Sequence, residues 1–166
     1  MQTPPPVTNL LLQLKTMGSN VGQLKEDSNY DWNWRPDQDE WSLTEVICHL
    51  RDVEEEVHQP RFVAVLERED VFLPGVSADE WAVSRGYRNQ DGQAALVDFL
   101  LRRQETVEML KDLTPDTWQR QGTHAYLGRT SLHELLFLLT RHDEIHWEQI
   151  KSLLAEQAAD ELKTSG

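Results

Sequence analysis

The sequence is poor in cysteine, in net positive charge and in long apolar runs, and each shortage closes off a class of function. Cys48 is the single cysteine, so the chain forms no internal disulfide and cannot build a thiolate zinc cluster by itself. Lys and Arg total 16 against 29 Asp and Glu, a formal charge of -13, and such a field repels phosphate backbones and anionic membrane faces. The densest basic pair, Arg102 and Arg103, is followed by Glu105 and Glu108, which reads as a solvated helix face and not as a nucleic-acid patch. No stretch reaches the roughly 18 uninterrupted apolar residues of a membrane span, and the opening MQTPPPVTNL has no basic start leading into an apolar run. The expectation is a soluble, cytoplasmic protein that binds neither nucleic acid nor membrane.

Repeats are absent too, and low complexity is confined to TPPP and the polar tail after Ala159. With 166 residues, 39% of them hydrophobic, the chain suits one domain, 1–166, whose core spans about residues 7–155. Helical periodicity fills most of it. Val7, Leu10, Leu11, Leu14, Val21 and Leu24 recur at three and four, predicting a first amphipathic helix that ends near Asp27. A second helix opens at WSLTEVICHL with a capping box from Ser42 to Glu45. Pro60 predicts a bend, with helix continuing toward Glu69. Residues 70–90 read as a long crossover holding a short helix capped at Ser77 and Glu80, a length that lets the flanking helices run in the same direction. The third helix starts near Asp91 and presents Leu96, Phe99, Leu100, Val107, Leu110 and Leu113; Thr114 and Pro115 end it. A turn around Trp118 to Gly128 leads to a fourth helix with a capping box from Ser131 to Glu134. Strand signals are almost absent. The fold class is therefore all-α, a four-helix bundle with one long crossover between helices 2 and 3.

In RHDEIHWEQI, His142 and His146 stand four apart, on one face with Leu139 and Ile150, so both imidazoles turn toward the bundle interior. A shared metal ion needs a third ligand. Of the six histidines, His133 lies about half a turn from His142, on the outer face. His58 stands in the same relation to His49, so one of that pair at most faces inward, and Val46 and Val53 mark His49 as that one. His124 falls in a loop, a pocket residue and weak ligand candidate. The trio is His49, His142 and His146; the rival reading makes them core polar groups. HDEIH is not a zincin motif, since Asp143 replaces the required Glu. A di-iron site needs inward Glu-x-x-His pairs, and the single match, Glu55 to His58, points outward.

WSLTEVICHLRDVEEEVHQPR, YRNQDGQAALVDFLLRRQ and GTHAYLGRTSLHELLFLLTRHDEIHWEQI resemble the DinB/YfiT-like metalloenzymes, four-helix bundles with one His on the second helix and HxxxH on the last. The resemblance implies a divalent metal, nickel or zinc with iron as a further option, held by the positions matching His49, His142 and His146. Some members of that family are thiol S-transferases using bacillithiol, mycothiol or glutathione, and others are metal-dependent hydrolases. The leading expectation is a thiol S-transferase-like enzyme acting on a small molecule, with a low-molecular-weight thiol as cosubstrate. Its alternatives are a hydrolase or a non-catalytic, stress-linked binding protein. The resemblance also implies a homodimer.

Three neutral imidazoles leave an open coordination position, where water or a thiol loses its proton more readily. Glu45 and Asp52, near His49, are candidates to orient it from behind. Arg103, matching an Arg position of the family, either holds a substrate carboxylate or forms an inter-helix ion pair. Asp143 faces solvent or a neighbouring helix, Cys48 is a small buried group, and Trp32, Trp34, Trp41, Trp81, Trp118 and Trp147 pack the bundle ends or line a pocket mouth.

Overall fold

The computed structural model describes residues 3–25 and 29–164, and the expected helix end near Asp27 lies outside them. Helix α1 (Val7–Gly22) buries Leu10, Leu14, Met17 and Val21 and continues as one 3-10 turn, Gln23–Lys25. Helix α2 (Leu43–Val53) opens on the predicted capping box: Ser42 Oγ accepts from the Glu45 N-H, and Glu45 Oε2 accepts from the Ser42 N-H at 2.8 Å. The chain then widens into a π-helical turn, Glu54–His58, and resumes as α3 (Gln59–Glu67). The irregularity expected at Pro60 thus falls in the preceding turn, and helix runs on through the proline. Pro60 has no N-H to donate and its ring crowds the turn behind it. The widened turn takes up that mismatch, with the Gln59 N-H reaching back five residues to the Glu54 carbonyl.

Strand β1 (Val71–Leu73) and helix α4 (Trp81–Ser84) lie in the crossover, followed by α5 (Gly92–Leu110), whose cap Asp91 accepts from two backbone N-H groups. Ser77 makes no side-chain cap, contrary to expectation; the segment Ala78–Glu80 is a bare 3-10 turn. After α6 (Pro115–Trp118) come β2 (Gln121–His124), β3 (Gly128–Ser131) and the long α7 (Leu132–Thr164), which extends into the polar tail after Ala159. The capping box at Ser131 and Glu134 forms as predicted.

The small sheet goes beyond what the almost absent strand signal of the sequence announced. Its order is β1-β2-β3, parallel between β1 and β2 and antiparallel between β2 and β3. Strands of three or four residues are too short to show alternation, and β1 finds its partner far away in sequence. Gly122 permits the pairing, because a Cβ there would lie 2.9 Å from the Val71 carbonyl oxygen.

The long helices form a four-helix bundle in which the crossover does what its length allows. Thr44 lies against Gly92, Glu54 bonds Arg103, and Gln59 bonds Thr106 Oγ1, so residue numbers on α2–α3 and α5 rise together and the two run parallel. His49 faces His146 while His58 faces His142, so α7 runs antiparallel to α2. The core divides into two apolar halves, one around Ile47, Leu50, Phe99 and Ile150, the other around Leu14, Phe62, Leu110 and Leu139. A polar layer separates them. Glu54, Arg103 and Asp143 each stand between residues of the two halves on their own helix, and all are buried. Among the described residues no helix is long and apolar enough to cross a membrane.

Candidate metal centre

His49 projects from α2 because Val46, Leu50 and Val53 hold that face of the helix inward. His142 and His146 project from α7 between Leu139 and Ile150. The rings meet where the two antiparallel helices pass: centroids are 5.3 Å apart for His49 and His142, 4.7 Å for His49 and His146, and 4.5 Å for His142 and His146. One ring nitrogen from each lies within 4.8 Å of the other two.

Two properties of the trio fit a divalent cation. His49 Nε2 and His142 Nε2 are 3.2 Å apart; two ligands at about 2.0 to 2.1 Å in tetrahedral geometry stand about 3.3 Å from each other. The rings are also neutral. Burial lowers His49 to about 4, with His146 adding to the effect. Burial and then the neighbouring His58, His146 and His49 push His142 far below its ordinary range, and burial lowers His146. His146 Nδ1 donates to Gln149 Oε1 at 2.8 Å, which fixes the tautomer and leaves its Nε2 lone pair free. Trp41 packs against the pair from outside, 5.1 Å from the His49 ring and nearly parallel to the His146 ring at 6.4 Å.

These imidazoles open onto a cavity of about 720 Å³, within the range of small-molecule sites. Its floor is His49, His142 and His146; its rim includes the segment from Val76 to Glu80, Tyr126 and Ile145. Asp79 sits on the rim, and its negative charge acts on both His49 and His146.

His58 departs from expectation. In an unbroken α-helix it lies about half a turn from His49, on the outside. The widened turn sets back everything after it by about 100°, so His58 is buried, lines the cavity and meets the His142 ring edge-on at 5.4 Å. Its Nε2 is buried without a hydrogen-bond partner, as is His49 Nδ1.

The residues expected to orient the ligands do other work. Glu45 accepts from Ser42 and pairs with Arg35 at 2.7 Å. Asp52 accepts from Arg51, Arg85 and Tyr87 at 2.7 to 2.9 Å, pinning the crossover to α2. Neither bonds His49; Asp52 touches it through charge alone. Arg103 is not a pocket residue but the centre of the polar layer, with forked contacts to Glu54 at 3.0 and 3.1 Å and to Asp143 at 2.6 and 2.8 Å. Of its two readings, the ion pair is the one observed, and Asp143 faces a neighbouring helix. His124 lies in β2 and not in a loop; its Nδ1 accepts from the Tyr126 N-H at 3.2 Å, so it shapes the turn that carries Tyr126 to the rim. Cys48 is buried, and burial pushes its thiol up to about 11, which removes it as a nucleophile. His133 bonds the Pro5 carbonyl, away from the cavity.

His58, Arg61, Asp79, Gln149 and Tyr126 escape the sequence reading. Only Pro60 hinted at the first two, since a proline inside a helical pattern announces an irregular turn; the others depend on how loop and helix meet.

An all-α bundle with three histidines converging from two helices defines a class, and the comparisons agree with it. The model of the DinB superfamily matches residues 22–150, and the chain belongs to that superfamily. The structure is similar to that of YfiT from Bacillus subtilis, described as a probable metal-dependent hydrolase with an unusual four-helix bundle topology. The TM-score is 0.79 at 17% identity, over 95% of this chain and 94% of that one. No curated protein matches by sequence.

Proposed function

We propose that the protein is a metal-dependent enzyme in which His49, His142 and His146 hold one divalent cation, zinc or nickel, beside the cavity. The observation that carries this reading is the convergence of three neutral ring nitrogens within 4.8 Å. When bound, the cation would supply a Lewis acid with an open position, at which water or a thiol is deprotonated near neutral pH. The chain's residues do the rest. Gln149 holds the His146 ring in its ligating tautomer, Trp41 and Val53 shield the imidazoles, and Asp79 on the rim accepts the proton released by the nucleophile.

The nucleophile decides between two activities. A cavity of about 720 Å³ accommodates a low-molecular-weight thiol beside an electrophilic acceptor, the thiol S-transferase reading. The rim carboxylate together with the likeness to YfiT, a probable hydrolase, favours water. The protein is proposed to act in the cytoplasm on a small molecule, as a homodimer that binds neither nucleic acid nor membrane.

Elemental analysis of tag-free protein tests the centre, with one equivalent of zinc or nickel expected in the wild type and none in His146→Ala. Absence of stoichiometric metal in the wild type defeats the reading. A screen pairing bacillithiol, mycothiol or glutathione with electrophiles, run beside ester and amide substrates, separates transfer from hydrolysis. Metal binding without turnover in either arm would leave the non-catalytic binding protein.

A further inference from the structure

The cavity has a cationic wall that coordination of a metal leaves unused. Arg61 lies on α3 just beyond the widened turn and lines the cavity. Its one hydrogen bond runs from Nη2 to the Pro74 carbonyl at 3.1 Å, and its Nε is buried without a partner. Arg35, Arg51, Arg85, Arg102, Arg103, Arg120, Arg129 and Arg141 all pair with carboxylates. Arg68 and Arg88 do not, but both are exposed. Among the described residues, Arg61 is thus the one arginine that is sheltered from solvent and has no acidic partner. In a chain whose acids outnumber its bases 29 to 16, that is not a shortage of candidates. A sheltered charge without a counterion is costly unless something else compensates it.

His58 stands beside it. It is 8% exposed, with Nε2 unpartnered, and it feels the positive charge of Arg61. Both residues are brought to the cavity by the same widened turn; in a regular α-helix each would sit about 100° further round. Asp79 and Glu80 of the crossover line the same cavity, so it presents both a cationic group and acidic ones.

We propose that Arg61 and His58 form an oxyanion subsite, taking a carboxylate or phosphate of the substrate and laying the rest of that molecule against the three imidazoles. The guanidinium fork matches the two oxygens of such a group, and the His58 Nε2-H donates a further bond. Asp79 and Glu80 line the same cavity and disfavour an anion beside them, which leaves the Arg61 side as its place. The proposal relies on the metal-dependent reading only for where the reacting bond lies; the subsite stands on its own residues.

The test uses metal-free full-length protein, so it fails independently of cation binding. Succinate in one arm and inorganic phosphate in the other are titrated at constant ionic strength against chloride, following the Arg61 Nε-H and His58 ring signals by NMR. A saturable shift of both signals is expected in at least one arm, and the responding arm identifies the oxyanion. Arg61→Gln is expected to weaken binding roughly tenfold or more, with Arg61→Lys between it and the wild type. Unchanged affinity in Arg61→Gln, or saturation in neither arm, overturns the proposal. If Arg61→Gln does not fold, the wild-type signals decide: oxyanion binding that moves neither Arg61 nor His58 refutes it.

Discussion

Replacing Arg103 by Met tests the polar layer that joins three helices. Arg103 comes from α5, Glu54 from the widened turn and Asp143 from α7, and all three are nearly inaccessible to solvent. Burial alone would raise both carboxyl groups. The Arg103 guanidinium overrides it at Glu54 and holds that group below its ordinary range, whereas at Asp143 burial prevails and pushes the carboxyl up to about 6. Met fills much of the space but leaves two buried acids with no cation. Breaking a buried pair from one side costs about 3–5 kcal/mol, which for a domain of this size corresponds to a fall in Tm of roughly 6–20 °C. The sign with pH follows from linkage. Without Arg103 both folded pKa values lie above their unfolded ones, and a carboxyl raised in this way favours folding at low pH and loses that contribution as pH rises through its folded pKa. The deficit of the variant is therefore small near pH 5 and grows through and beyond about 6, the value to which burial already brings Asp143 in the wild type. Calorimetry of both proteins from pH 5 to 8 measures it. A deficit under about 3 °C at pH 8, or one independent of pH, would refute the account.

Two further substitutions probe the packing. In Gly92→Ala the new Cβ would lie 2.6 Å from Thr44 Oγ1 and 3.0 Å from Thr44 Cα. Overpacking of this kind costs about 1–3 kcal/mol and should lower Tm, whereas Gly18→Ala, whose Cβ meets only Arg103 Cγ at 3.6 Å, should stabilise α1 by about 0.4–1 kcal/mol; urea titrations giving both the same sign would contradict the geometry. Ser131→Ala removes the hydroxyl that accepts from the Glu134 N-H at 3.2 Å and donates to the Glu134 carboxylate at 2.8 Å, and should cost about 1 kcal/mol, with Ser131→Thr recovering most of it; equal midpoints for Ala and wild type would show that the β3–α7 junction caps itself.

The helices were legible because their signals are local. Ser42 with Glu45, Asp91 before α5, and Ser131 with Glu134 each satisfy backbone groups within one turn, and the apolar stripes repeat every three or four residues. The histidine trio was legible for the same reason: two rings one turn apart on α7 and a third between valines on α2 can be sorted by the helical wheel. The supporting roles offered to Glu45 and Asp52 do not hold, because nearness along a helix says nothing about which cation stands opposite, whereas Arg103 forms the inter-helix ion pair that was one of its two readings. Arg35 and Arg85 took those two carboxylates.

By itself, then, the sequence determined a single all-α bundle, its helix starts, its parallel crossover and the inward histidines, all consequences of a period the chain states residue by residue. Pro60 announces an irregular turn, but only the tertiary structure shows that the turn widens at Glu54–His58 and thereby brings His58 and Arg61 inward, since one extra residue in a turn rotates the rest of a helix. Tertiary structure also decided the pairing of β1 with β2 and the place of Asp79 on the rim. Those depend on contacts between segments tens of residues apart, which no periodicity records.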